Sequence, residues 1–295
     1  MASTTGRHPI ELRAVRYQYA GSRTWALDGV DLDVPAGAVV GLIGANDAGK
    51  TTLALVAAGL APSVTGGKLE GAVWLIDGQT SEMAPHEAAA RCGILFQNAL
   101  AQLSGTSATV WEEIAFGPRN AGLAVQDISR RVEGALAVLR IQHLAPKDPN
   151  RLSGGEAQLV ALGSVLALRP KAMVLDEPTS QLDPGGTRLV GDAIERIAAE
   201  TGAGILVIEH KTGLLDQIAE SIVVLDAGHT IRQGDPSVVL CDPALVDLGI
   251  DPPPVVRLGR AIGDAGLSKT VRSDFVRAVR ALGHANAARA IEDRE

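Results

Sequence analysis

Aromatic side chains are scarce in this sequence: three Trp, three Phe and two Tyr make up 3% of its 295 residues. The hydrophobic content is nevertheless 46%, so the core it predicts is aliphatic, built from Ala, Val, Leu and Ile. Only two cysteines occur, Cys92 and Cys241, far apart in the chain. They offer neither a disulfide framework nor a metal cluster and suit a reducing cytoplasm. Surplus positive charge is also missing, with 27 Lys and Arg against 34 Asp and Glu and a net charge of −7. That balance argues against sequence-independent nucleic-acid binding, which runs on surplus Lys and Arg, but leaves room for a local phosphate pocket. No apolar run approaches the ~18 residues of a membrane-spanning helix. The opening MASTTGRHPI lacks the apolar stretch of a signal peptide. The chain is therefore expected to be soluble, with any membrane role reached through a partner.

What is present is alternation. Short apolar, β-branched runs occur at Val39–Ile43, Val73–Ile76, Gly93–Phe96, Ala172–Leu175, Gly204–Ile208 and Ile222–Leu225. Near-continuous runs of this kind predict strands buried on both faces of a largely parallel sheet. Helical patterns lie between them, at Lys50–Leu60, Val110–Gly117, Ser129–Leu139, Gly154–Leu168, Thr187–Glu200 and Thr212–Ala219. The result is an α/β doubly wound architecture. Before it, LRAVRYQYA and TWALDGVDLDV read as an antiparallel element. Past residue 240 the strands stop, a PPP turn intervenes, and Ser273–Arg294 has a charged amphipathic helix pattern. The expected division is residues 1–240 as one domain, with a helical part at about 98–168, and residues 241–295 as an extension.

Gly44-Ala45-Asn46-Asp47-Ala48-Gly49-Lys50-Thr51, followed by Thr52, matches the phosphate-loop pattern between an apolar strand and a helix. Backbone N–H groups and a helix N-terminus together make an anion cradle. Lys50 supplies a point charge for β- and γ-phosphates, and the Thr51 hydroxyl is a ligand for Mg²⁺. Asp47 is an awkward member. Asp tolerates positive φ, but a carboxylate beside a triphosphate is expected to point outward and to weaken ATP binding. Further along, Met173-Val-Leu-Asp176-Glu177 is an apolar strand ending in two acids, at the strand end where α/β sheets bind ligands. In a phosphate-loop protein the first acid holds Mg²⁺ and the second, Glu177, polarises the attacking water.

Taken with Leu152-Ser153-Gly154-Gly155-Glu156, these residues resemble the ATP-binding cassette (ABC) ATPase family, over roughly residues 10–240. The resemblance implies a P-loop NTPase cassette with a RecA-like parallel-sheet core, an N-terminal antiparallel β part, a helical signature part and a C-terminal helical extension. It further implies a head-to-tail pair of cassettes, either a homodimer or a heterodimer. In such a pair Ser153, Gly154 and Gly155 of one chain meet the γ-phosphate held by the other. By the same resemblance Gln97 is the Q-loop glutamine beside Mg²⁺, His210 the switch histidine and Asp183 the D-loop acid. Tyr19 is matched to the aromatic that stacks on adenine, a place Tyr17 or Trp25 could also fill.

The run FQNALAQLSGTSATVWEEIAFGPRNAGL, with the tail phrase LGIDPPPVVRLGRAIGDAGL, looks like energy-coupling-factor ATPases, which power uptake of vitamins or transition-metal ions. That likeness implies a transmembrane scaffold and a small membrane substrate-binding protein as partners, no nucleic acid, and a place on the cytoplasmic face of the membrane. NALAQ stands where that family often has NPDDQ. Two rivals remain: the ATPase of another importer or exporter, and a non-transport ABC protein. Neither a coiled-coil insertion nor a second cassette is present to favour the latter. The C-terminal helix is either a dimerisation element or a solvated face.

Overall fold

The computed structural model describes residues 8–264 and 268–281. Two sheets organise it. The first is a four-stranded antiparallel sheet in the order β2-β1-β4-β5, with β1 at Ile10–Gln18, β2 at Leu27–Val34, β4 at Lys68–Leu75 and β5 at Gly78–Gln79. The second has six strands in the order β10-β9-β3-β8-β7-β6. Its members are β3 (Val39–Gly44), β6 (Cys92–Leu95), β7 (Ala172–Asp176), β8 (Gly204–Ile208), β9 (Ser221–Asp226) and β10 (His229–Gly234). Strands β6, β7, β8, β3 and β9 run parallel, and only β10 is antiparallel to its neighbour.

The apolar run Val73–Ile76 is the one strand prediction that needs correction. It pairs antiparallel with β1, Leu12 facing Val73, and so belongs to the first sheet rather than the parallel one. A four-residue apolar run carries no information about which sheet receives it.

Helices follow in chain order: α1 (Lys50–Ala57), α2 (Pro85–Arg91), α3 (Ala99–Gln102), α4 (Val110–Asn120), α5 (Val125–Val138), α6 (Gly154–Leu168), α7 (Pro184–Thr201), α8 (Thr212–Ile218), α9 (Pro236–Val239), α10 (Ala244–Asp247), α11 (Pro254–Asp264) and α12 (Lys269–Ala281). The parallel sheet separates two aliphatic cores. Because alternate residues of a strand face opposite sides, Val40 and Leu42 join β1, β2, β4 and α1 in one core. Val39 and Ile43 turn to the other, where α4 to α8 supply Ile114, Val132, Leu162, Val190 and Leu215. Both faces of β3, β7 and β8 are thus covered, which is why their sequences are continuously apolar.

Helices α3 to α6 pack on one another, and α6 joins them to β6. Beyond β10 only helices follow among the described residues. There α12 lays Val276 and Val279 against Val255 of α11. The predicted amphipathic helix at Ser273–Arg294 thus starts earlier, at Lys269, and its part after 281 lies outside the described residues. Of the two cysteines Cys92 is buried, and burial pushes its thiol up to about 12. A thiol held neutral in this way is unreactive.

Candidate functional site

Strands β3, β6, β7 and β8 all end on one side of the parallel sheet, and the residues that follow each of them converge. The loop after β3 contributes Asn46, Asp47, Gly49, Lys50, Thr51 and Thr52, while β6 is followed by Gln97, β7 by Glu177 and β8 by His210. These residues line a cleft of about 600 Å³, together with Trp25, Ala26 and the Ala227–Gly228 turn.

The loop after β3 has a backbone suited to anions. Asp47 (φ 62°) and Gly49 (φ 101°) sit in the left-handed region, the conformation from which concave rows of amide N–H groups are built. Gly49 has no substitute: a Cβ there would lie 2.8 Å from the carbonyl oxygen of Ala26. At Gly44 a Cβ would meet the carbonyl of Leu225 at 2.3 Å, so the strands can approach only around a glycine. The loop is also pinned from the β9–β10 turn, where the Gly228 N–H donates to the Ala48 carbonyl at 2.9 Å.

Lys50 folds back into this loop, its Nζ donating to the carbonyls of Gly44 (3.0 Å) and Ala45 (2.7 Å). Burial lowers its pKa, and the nearby carboxylates Glu177, Asp176 and Asp47 oppose that shift. Asp176, 3% exposed, accepts a hydrogen bond from Thr51 Oγ1 at 3.0 Å. Desolvation raises its pKa, and the Thr51 bond and the Lys50 charge pull the other way. Glu177 occupies a left-handed backbone position (φ 51°) just past β7. Its N–H donates to the Ile208 carbonyl at 2.9 Å, and its carbonyl accepts from Gln158 Nε2 at 3.2 Å. Its carboxylate Oε1 lies 3.1 Å from His210 Nε2.

Not every residue expected at the nucleotide lines this cleft. Ser153 caps the N-terminus of α6, where Glu156 returns the contact: its Oε2 accepts from Ser153 N and Oγ, both at 2.9 Å. Gly154 and Gly155 form the first turn of α6, and none of the three reaches the cleft of their own chain. Asp183 likewise caps α7, accepting from Gly186 N at 2.6 Å. Tyr19 stands at the margin, its hydroxyl 3.0 Å from Thr52 Oγ1 and its ring edge-on to Tyr17. Tyr17 is fully buried, with its hydroxyl spent on Thr65 and Gly66. Trp25, by contrast, lines the cleft, with the Arg16 guanidinium 4.3 Å from its ring centre.

Sequence reasoning missed three further participants. Buried Glu209, buried Thr179 and the Lys211 side chain form a polar cluster between the segments that carry Glu177 and His210. Glu209 and Lys211 flank His210 in the sequence, which was the available signal, but their partner Thr179 lies about thirty residues away and only the fold brings them together.

A family model described as ABC transporter matches residues 27–180. A Pyrococcus abyssi protein, named by family as an ABC transporter ATP-binding protein, is 36% identical over 261 residues, covering 88% of this chain and 92% of that one. The chain belongs to the ABC transporter ATP-binding family. A Methanosarcina mazei member is 38% identical over 256 residues, 86% of this chain, yet the chain spans only 43% of that relative's length. Among solved structures, cbiO1 from Clostridium perfringens, described as part of the ABC transporter complex cbiONQ, superposes with a TM-score of 0.70 at 28% identity. That match covers 82% of this chain and 94% of cbiO1. The MJ0796 cassette, solved as a dimer in a post-hydrolysis state with ADP and Pi, shares the fold at a TM-score of 0.68 and 23% identity. It covers 77% of this chain and 98% of its own. As a member of this family the chain is an ABC ATPase, with ATP as its nucleotide.

Proposed function

We propose that the chain is the ATP-hydrolysing subunit of an energy-coupling-factor importer that takes up a vitamin or a transition-metal ion. The observation that carries the hydrolytic part is the convergence of Lys50, Thr51 and the Glu177–His210 pair on one cleft, with Asp176 hydrogen-bonded to Thr51. Residues Gly44–Thr52 hold the phosphates, with the Lys50 ammonium against their charge. Trp25 and Tyr19 are the aromatic surfaces available to adenine.

Mg²⁺ fits the donors present. Thr51 and Asp176 offer a hydroxyl and a carboxylate within 3.0 Å of each other, with Gln97 on the same cleft. These are hard oxygen donors, few in number, as Mg²⁺ beside phosphates takes. Among the described residues, buried Asp176 has the Thr51 hydroxyl as its hydrogen-bond partner. Bound there, the ion would neutralise charge on the phosphoryl oxygens. Glu177 is the general base: its carboxylate orients water and accepts its proton, and His210 holds that carboxylate in place.

Ser153, Gly154 and Gly155 do not line this cleft, and as a helix N-terminus they suit the phosphates of a second cassette. Asp183, capping α7 just past the Glu177 segment, belongs to the same closing face. The chain therefore works in a pair, peripheral to a membrane scaffold. The importer subtype rests on the likeness to cbiO1 and on the segment after Gln97. There Gln102 finishes the edge strand β6 with its side chain, accepting from Phe96 N and donating to the Ile94 carbonyl, both at 2.9 Å. Leu100 and Phe116 stand exposed at 57% and 46%, apolar surface for a scaffold to cover.

Purification of the chain from native membranes in mild detergent tests the subtype. A transmembrane scaffold together with a small membrane protein is the expected result. A large paired permease would overturn the subtype while leaving the ATPase, and ribosomes or DNA-repair proteins without membrane protein would overturn transport.

A further inference from the structure

Glu209 is a charged side chain, 2% exposed, that the proposed hydrolysis does not use. A buried carboxylate is costly unless hydrogen bonds replace its water. Here four do, and they come from two different segments. Oε1 accepts from Thr179 N (3.1 Å) and Thr179 Oγ1 (2.5 Å), two residues past Glu177. Oε2 accepts from His210 N (3.1 Å) and Lys211 N (3.3 Å). One carboxylate thus ties the turn that carries Glu177 to the loop that carries His210.

The Lys211 side chain adds a second tie in the opposite direction. Its Nζ donates to the carbonyl of Thr179 at 2.6 Å, the carbonyl of Leu182 at 3.3 Å and Thr187 Oγ1 at 3.2 Å. Those acceptors flank Asp183.

We infer that Glu209 is a positioning residue for hydrolysis: by clasping Thr179 and the His210–Lys211 backbone it sets the Glu177–His210 contact and joins it to the Asp183 segment. The inference rests on the hydrolytic reading above. A carboxylate suits the task because both its oxygens accept. Glutamine has nearly the same shape, but one end donates, so in Glu209→Gln either the Thr179 pair or the His210–Lys211 pair of N–H groups faces another donor. The clasp opens on one side while packing is preserved. The phosphate loop is untouched, so nucleotide binding stays and the chemical step suffers.

The test is steady-state ATP hydrolysis by the purified full chain, with nucleotide affinity and thermal melting measured on each variant. Glu209→Gln is expected to lower kcat about tenfold while KM for ATP moves less than about twofold. Thr179→Val, which removes a single donor, is expected to lower kcat about threefold. The deciding readout is the double variant. Added to His210→Ala, Glu209→Gln should cost no more than about twofold further, because its effect runs through His210. A multiplicative loss in the double variant, as a merely structural residue would give, overturns the inference. Wild-type kcat in Glu209→Gln, or in Thr179→Val should Glu209→Gln not fold, overturns it too. If the wild-type chain hydrolyses no ATP, the hydrolytic reading itself falls; if it does and the variants lose nothing, only the clasp falls.

Discussion

Asp47 lines the cleft proposed for the nucleotide, in a left-handed conformation that suits glycine better. A negative charge at this position raises the Lys50 pKa against the effect of burial, and separately it offsets part of the positive potential that the phosphates would meet. Asp47→Gly removes both effects, and ATP should bind about threefold to tenfold more tightly by calorimetry; an unchanged affinity would contradict this account of the loop. The aromatic assignment is tested in the same way. Trp25→Ala should weaken nucleotide binding more than Tyr19→Ala, because Trp25 lines the cleft and Tyr19 only touches Thr52 from its edge. Lys50, Thr51, Asp176 and Glu177 were legible in the sequence because their chemistry depends on neighbours within a few positions. Glu209 was not, because it acquires its place from a segment distant in the chain, and Trp25 was one of three aromatic candidates among which only the fold distinguishes. A Trp before a strand, or a Glu before a His, carries no local pattern that says what it will face.

Among the elements, α6 shows how a helix start can be read from sequence and then tested by pH. Gly154–Leu168 has the predicted bounds at both ends: Ser153 and Glu156 form a reciprocal cap that fixes the first turn, and Arg169 in the left-handed region closes the last. Lys147 Nζ, 2.8 Å from Glu156 Oε1, and the Ser153 donors hold the Glu156 carboxyl down at about 2, below its ordinary value of 4.5. A depressed folded-state pKa contributes stability that is fully present above pH 4.5 and is lost as pH falls toward about 2. Glu156→Ala should therefore destabilise the chain by about 1 kcal/mol at neutral pH. Its deficit in thermal unfolding should shrink between pH 4.5 and the acid limit; a deficit constant with pH would count against the cap. Elsewhere the sequence placed helices and strands well and their partners less well. The Val73 run is the example, since its burial is plain but its docking on β1 depends on a pairing across sixty residues.

On the scale of the whole molecule, the proposed catalytic site is divided between two places on the chain. Lys50, Glu177 and His210 share a cleft that the Ser153 helix end does not line, and the proposed mechanism closes it with a second cassette. Glu177→Gln with MgATP should therefore elute as a closed pair in size-exclusion chromatography, whereas Lys50→Ala should not pair on addition of nucleotide. The family, the fold and the order of the motifs were legible because each motif is local and together they are specific. The partner chains are signalled in this sequence through the likeness of the segment after Gln97 and of the tail phrase, and in the first of these Leu100 and Phe116 stand exposed. The most direct test of the central claim, that Glu177 is the base of an ATP-hydrolysing cleft, is to measure turnover and ATP affinity side by side in the wild-type chain and in Glu177→Gln. The account predicts a fall in turnover of at least about a hundredfold with affinity held within about twofold. Turnover at the wild-type rate in Glu177→Gln would contradict it.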